Sequence, residues 1–120
     1  MSEYTKHLVP RPELRERIID TAVEAFSAHG IKSITMDDIA TSLGISKRTL
    51  YEVFSDKETL LEECILKGQK EGDEFLKNVL ATSGNVLEVL LKCYQRSIEQ
   101  FHATNKKFFE DIKKYPKAYA

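Results

Sequence analysis

Residues 35–54, TMDDIATSLGISKRTLYEVF, constrain this chain more than any other stretch, because they spell two short helices with one break between them. Thr35 is placed to accept a hydrogen bond from the backbone N–H of Asp38, and Asp37 and Asp38 put negative charge where a helix start favours it. A helix therefore begins near Met36, with Met36, Ile39 and Leu43 on one face and the small Ala40 leaving room for a neighbour to approach. Gly44 closes it, since glycine enters the left-handed conformation without a steric penalty, and Ser46 is a suitable N-cap for a second helix. In that second helix Ile45, Leu50 and Val53 supply the inward face, which turns Lys47, Arg48, Thr49, Tyr51 and Glu52 elsewhere. The outward set is cationic at its front.

The flanking sequence reads as support for this pair. Pro12 suits a first helical turn, and Leu14, Ile18, Ile19, Ala22, Val23, Ala25 and Phe26 recur at three- and four-residue spacing up to a stop at Gly30. Ile31 and Ile34 close the small core across the link. Ser55 and Glu58 form an S-x-x-E capping box, followed by an apolar stripe from Leu60 to about Leu80 in one helix of about seven turns. Gly68 and Gly72 lie four apart on it and mark either close packing or a flexible point. Residues 81–85, ATSGN, read as a loop, with Asn85 and Glu88 giving a weaker capping signal. Helical spacing resumes from Val86 to about His102 and continues from Phe108 to Tyr115, ended by Pro116. The fold class is thus all-α.

The residues Gly44, Ile45, Ser46, Lys47, Arg48, Thr49, Leu50, Tyr51, Glu52, Val53, Phe54 and Lys57 resemble the helix-turn-helix of the tetracycline-repressor (TetR) family of bacterial transcriptional regulators. The resemblance runs from about Pro12 to Gly72; beyond it only a helical pattern agrees. It implies a three-helix DNA-binding domain whose second motif helix enters the major groove by its N-terminal end. Arg48 or Lys47 is then a candidate donor to guanine O6 and N7, and Thr49 a contact to a thymine methyl or a phosphate. The family's tyrosine and lysine at Tyr51 and Lys57 commonly hold phosphates. With Thr35 and Ser46 at the two helix starts, the expected DNA-binding set is Thr35, Ser46, Lys47, Arg48, Thr49, Tyr51 and Lys57. Val53 departs from the pattern, standing where many members place a histidine or tyrosine that also touches the DNA backbone.

Residues 1–11, short, polar and closed by Pro10 and Pro12, read as a mobile arm carrying Lys6 and Arg11, and the resemblance implies a DNA-binding domain over 12–72 and the start of an effector and dimerisation domain over 73–120. The long helix would be the lever between the two domains. Tyr94, Ile98, Phe101 and Phe109 are candidate effector contacts, each also explicable as core. Family members generally carry several more helices, so the chain reads as a fragment of a longer regulator or a short form. Either way the apolar residues after Val86 are expected to be left partly uncovered.

Charge neither demands nor excludes this reading. The formal net charge is -1 and the first sixty residues hold 8 basic against 10 acidic side chains, but between Asp38 and Glu52 the only charges are Lys47 and Arg48. No run approaches the roughly 18 to 20 apolar residues of a membrane span, and residues 1–11 lack a signal peptide's apolar core, which points to the cytoplasm. Cys64 and Cys93 are isolated in helical apolar patterns, as buried reduced thiols would be. His7, His29 and His102 lie at no metal-ligand spacing. Without a paired His and carboxylate motif, a phosphate-binding glycine loop or a nucleophile elbow, neither an enzyme nor a bound cofactor is expected. The expected function is a ligand-released repressor that binds a near-palindromic double-stranded operator as a homodimer, with an unknown small-molecule effector. The alternative is a helical protein-interaction module whose helix-turn-helix no longer reads DNA.

Overall fold

Two glycines with positive φ, Gly30 at 84° and Gly44 at 70°, set the corners of the N-terminal half. The structure is a computed structural model that describes residues 11–116, all helix and connecting turn with no strand among the described residues. Helix α1 spans Arg11–His29 and ends where the Gly30 N–H bonds to the Phe26 carbonyl at 2.9 Å. The arm expected over residues 1–11 lies outside the described residues, except that Arg11 already has helical backbone.

Helix α2, Met36–Leu43, starts at the Thr35 cap. The cap is reciprocal: Thr35 Oγ1 accepts from the Asp38 N–H at 3.1 Å, and Asp38 Oδ2 accepts from the Thr35 N–H at 2.8 Å. The Thr35 N–H, and after it the Thr35 hydroxyl, hold the Asp38 carboxyl below the usual aspartate range. After the left-handed Gly44, Ser46 caps α3, Lys47–Val53.

Helix α4, Lys57–Thr82, is the long helix expected, but its cap differs from the sequence reading. Asp56 rather than Ser55 occupies the N-cap, its Oδ1 accepting from the Thr59 N–H at 2.7 Å, so the helix starts one residue later than an S-x-x-E box would place it. Aspartate also adds full negative charge at the positive end of the helix.

Leu14, Ile18, Ile19, Ala22 and Phe26 of α1 form the centre of the core, onto which α2 places Met36, Ile39 and Ala40, α3 places Leu50, and α4 places Leu60, Leu61 and Cys64. Phe54 and Ile31 close it from the connecting turns. Each large apolar side chain removed from water contributes about 1.5 to 3 kcal/mol. Burial pushes the Cys64 thiol up to about 12, as an unreactive core thiol. Outside the core, Arg15 pairs with Glu63 at 2.9 Å and Lys67 is fastened to Asp20, tying α1 to α4.

Helix α5, Val86–Ala103, starts at Asn85, whose Oδ1 accepts from the Glu88 N–H. The Glu88 carboxylate reaches Gly84 instead of the cap residue itself. Helix α6, Lys106–Asp111, runs into a 3-10 turn at Ile112–Lys114, so the shorter helix ends before Pro116. This last segment folds back on the turn between α1 and α2. Asp111 Oδ2 accepts from the backbone N–H groups of Ile31 and Lys32 at 3.1 and 2.9 Å, and Asn105 donates to the carbonyls of Ser27 and Ala28. Gly30 is required there twice over, since a Cβ would stand 2.7 Å from the Lys107 Cβ in a backbone conformation that disfavours side chains.

Candidate nucleic-acid interface

The short length of α3 fixes which residues it can show. At about 100° per residue, Lys47, Tyr51, Arg48 and Glu52 fall within an arc of about 140°, and Thr49, Val53 and Leu50 occupy the other side. Burial agrees: Leu50 is fully buried, Val53 and Thr49 are half-buried, and all four residues of the arc are exposed, Tyr51 by 41%. Leu50 anchors the helix on the core and thereby turns Lys47, Arg48 and Tyr51 to one common exposed surface. The turn at Gly44 needs no side chain to hold it; its N–H groups bond back to α2, Gly44 to Thr41 and Ile45 to Ala40.

Three members of the expected set act locally in the fold. Thr35 is occupied as the cap of α2, and Ser46 Oγ accepts from the Thr49 N–H at 3.1 Å while sharing a 2.8 Å hydrogen bond with the Thr49 hydroxyl. These contacts orient the start of α3. Lys47 lies 3.4 Å from Asp37 across the turn, with both side chains exposed. Arg48 projects into solvent without an ion pair to another described residue.

Lys57 lies outside α3, at the start of α4. As the first residue of α4 it is half-buried, with its ammonium 6.0 Å from the Phe26 ring centroid and 5.7 Å from that of Tyr115. Burial pushes its pKa down, while the carboxylates of Asp111 and Asp38 pull it back up.

The expected effector residues divide. A groove of about 470 Å³ opens between α1, α4, α5 and α6, and Phe101 and Phe109 line it with rings stacked at 5.4 Å. Tyr94 and Ile98 do not line it and are exposed. Gly68 and Gly72, four apart on α4, have different surroundings. Gly72 lies beside the Arg96 guanidinium, 3.6 Å from where a Cβ would be, and Gly68 lines the groove with nothing within 4 Å of such a Cβ. Arg96, which the sequence reading passed over, also lines this groove, and its guanidinium sits 5.1 Å from the Phe75 ring centroid. The contacts of Asp111 were missed as well, because no local pattern announces a partner about eighty residues away.

Comparison with known proteins agrees with this geometry. Residues 18–64 match the family described as bacterial regulatory proteins, tetR family. The chain is 33% identical over 72 residues to IcaR of Staphylococcus aureus (strain Newman), the HTH-type negative transcriptional regulator of the biofilm operon icaADBC, covering 60% of this chain and 37% of that protein. It is 42% identical over 43 residues to MftR of Mycobacterium tuberculosis, named for the transcriptional regulation of mycofactocin biosynthesis, covering 36% of this chain and 22% of that one. This chain therefore spans well under half the length of either relative. A solved TetR-family regulator from Mesorhizobium loti MAFF303099 superposes with a TM-score of 0.71 at 24% identity, over 92% of this chain and 59% of its own, and shares the fold. Residues 18–64, which hold most of α1, the α2–α3 pair and the first two turns of α4, are the part of this chain that matches the tetR family of bacterial regulatory proteins.

Proposed function

We propose that the protein is a sequence-specific DNA-binding transcriptional regulator, a repressor that binds a near-palindromic operator as a homodimer and is released by a small molecule. The observation that carries this reading is the arc of α3, where Lys47, Arg48 and Tyr51 share one exposed surface and are held there by the buried Leu50. Arg48 is the base-reading residue, because its forked donors match guanine O6 and N7 and no described acid competes for them. Lys47 exchanges Asp37 for a phosphate at little cost, since an exposed pair of this kind is worth about 0 to 1 kcal/mol. Tyr51 supplies a hydroxyl to the DNA backbone. Thr35, Ser46 and Thr49 serve by fixing the two helix starts. Lys57 enters the proposal through its place at the start of α4, where a phosphate would have to draw its ammonium from Phe26 and Tyr115.

In this reading residues 12–72 are the reading head and 73–120 belong to the sensing part, with α4 as the lever that spans both. Binding consists of a few phosphate and base contacts per subunit, in keeping with the modest charge of the head, and chemistry plays no part. The protein acts in the cytoplasm, where its operator is. In vitro selection of bound duplexes tests the whole proposal. It predicts enrichment of a two-fold symmetric site with half-sites about 34 to 36 Å apart or a related spacing, and affinity that falls steeply with salt. Recovery of unenriched sequence would favour the interaction-module alternative.

A further inference from the structure

The groove between α1, α4, α5 and α6 has a charge pattern that its location alone does not require. Its volume, about 470 Å³, falls within the few hundred to about 1,000 Å³ typical of small-molecule sites. Phe26, Phe101, Phe108 and Phe109 give it aromatic walls, with Phe108 set edge-on to Phe109. Among the described residues no carboxylate lines it, and Arg96 is the single charged side chain that does. Arg96 pairs with no described carboxylate; it lies over Phe75 in the space left by Gly72, with donors still to be used. On α4 the floor of the groove is Gly68, whose missing side chain is replaced by no other protein atom.

We infer that this groove binds an amphipathic organic monoanion, its flat apolar body against the phenylalanines and its carboxylate or sulfonate on the Arg96 guanidinium. A bidentate pair of this kind uses the planar fork of arginine and is stronger than a neutral hydrogen bond. A cationic ligand would meet Arg96 with no acid to balance it, and a neutral one would cover the guanidinium without satisfying it. The inference rests on the ligand-released reading above and names its ligand class. It also gives the ligand a route to the head: Phe101, Phe108 and Phe109 flank the Asn105 and Asp111 contacts that hold α6 to the α1–α2 turn.

The test is direct titration of the 120-residue protein with naphthalene-2-carboxylate, and with naphthalene-2-carboxamide as its neutral counterpart, by calorimetry. The carboxylate is expected to bind about tenfold more tightly than the amide, or better. Arg96→Gln should erase the difference. Gly68→Leu, whose side chain has open space to enter and which favours helix, should keep its circular dichroism and weaken both probes more than about tenfold. Equal affinity for the two probes, no binding of either, or binding unchanged by Gly68→Leu would each overturn the inference; so would a dimer in sedimentation whose formation excludes the probe. A protein that selects a symmetric duplex yet ignores the carboxylate loses this inference alone, and one that binds the carboxylate but selects no duplex loses the DNA reading alone.

Discussion

Helix α1 and helix α5 carry apolar stripes of the same helical spacing, yet they end in opposite environments. Five residues of α1 are buried at the centre of the core, whereas α5 has none, and its Val86, Leu90 and Tyr94 are 74%, 61% and 64% exposed. Local sequence does not separate the two helices. What separates them is the number of partners: α1 packs against α2, α3, α4 and α6, and α5 chiefly against α4. An apolar stripe therefore states that a face wants cover, and only the arrangement of neighbours decides whether it becomes core. For α1 the cover is supplied within about fifty residues, by α2, α3 and the first turns of α4.

The largest expected effect tests that contrast. Leu50→Ala should cost about 2 to 5 kcal/mol in urea unfolding, as a fully buried leucine, while Leu90→Ala on α5 should stay within about 0.5 kcal/mol. Comparable losses at both positions would mean that α5 is covered in solution, and sedimentation at the same concentration would show by what. Next is the contact that joins the two regions. Asp111→Ala leaves the Ile31 and Lys32 N–H groups without their acceptor and should cost about 1 to 3 kcal/mol, with faster amide exchange at Ile31. If exchange there is unchanged, α6 is not what holds the turn. Ser46→Ala should cost about 1 kcal/mol through the lost cap of α3, with the loss read as fraying of residues 47–50 by amide exchange.

The smallest effect is on pH. Because the Thr35 N–H and hydroxyl hold the Asp38 carboxyl below its unfolded value, the cap stabilises the head above the ordinary aspartate range. That stability is lost as pH falls through the lowered folded-state value. Asp38→Asn should flatten this part of the acid-unfolding profile, and an unaltered profile would assign the acid sensitivity elsewhere.

The α2–α3 pair was legible because its determinants are local. Thr35 with Asp38, Gly44, and Ser46 with Thr49 each act within three or four residues, and the inward residues Leu50 and Val53 follow from spacing alone. The helix ends were less so: Ser55 and Asp56 are both good caps one residue apart, and which one is used depends on how α4 meets the core. Lys57 could be placed at a helix start but not over Phe26 and Tyr115, since those rings come from opposite ends of the chain. Arg96 and Asp111 were invisible for the same reason, their surroundings being assembled by packing between distant segments.

Everything in the functional account turns on which way the front of α3 faces, and the most direct probe is the affinity of Lys47→Ala and Arg48→Ala for a duplex enriched by selection, beside their unfolding midpoints. Arg48→Ala should lose about 1 to 3 kcal/mol of binding and relax preference at one base position, Lys47→Ala should weaken all sequences alike and lower the salt slope by about one, and both should unfold like the parent protein. Parental affinity and parental base preference in both variants would mean that the exposed arc of α3 is not the surface that meets DNA.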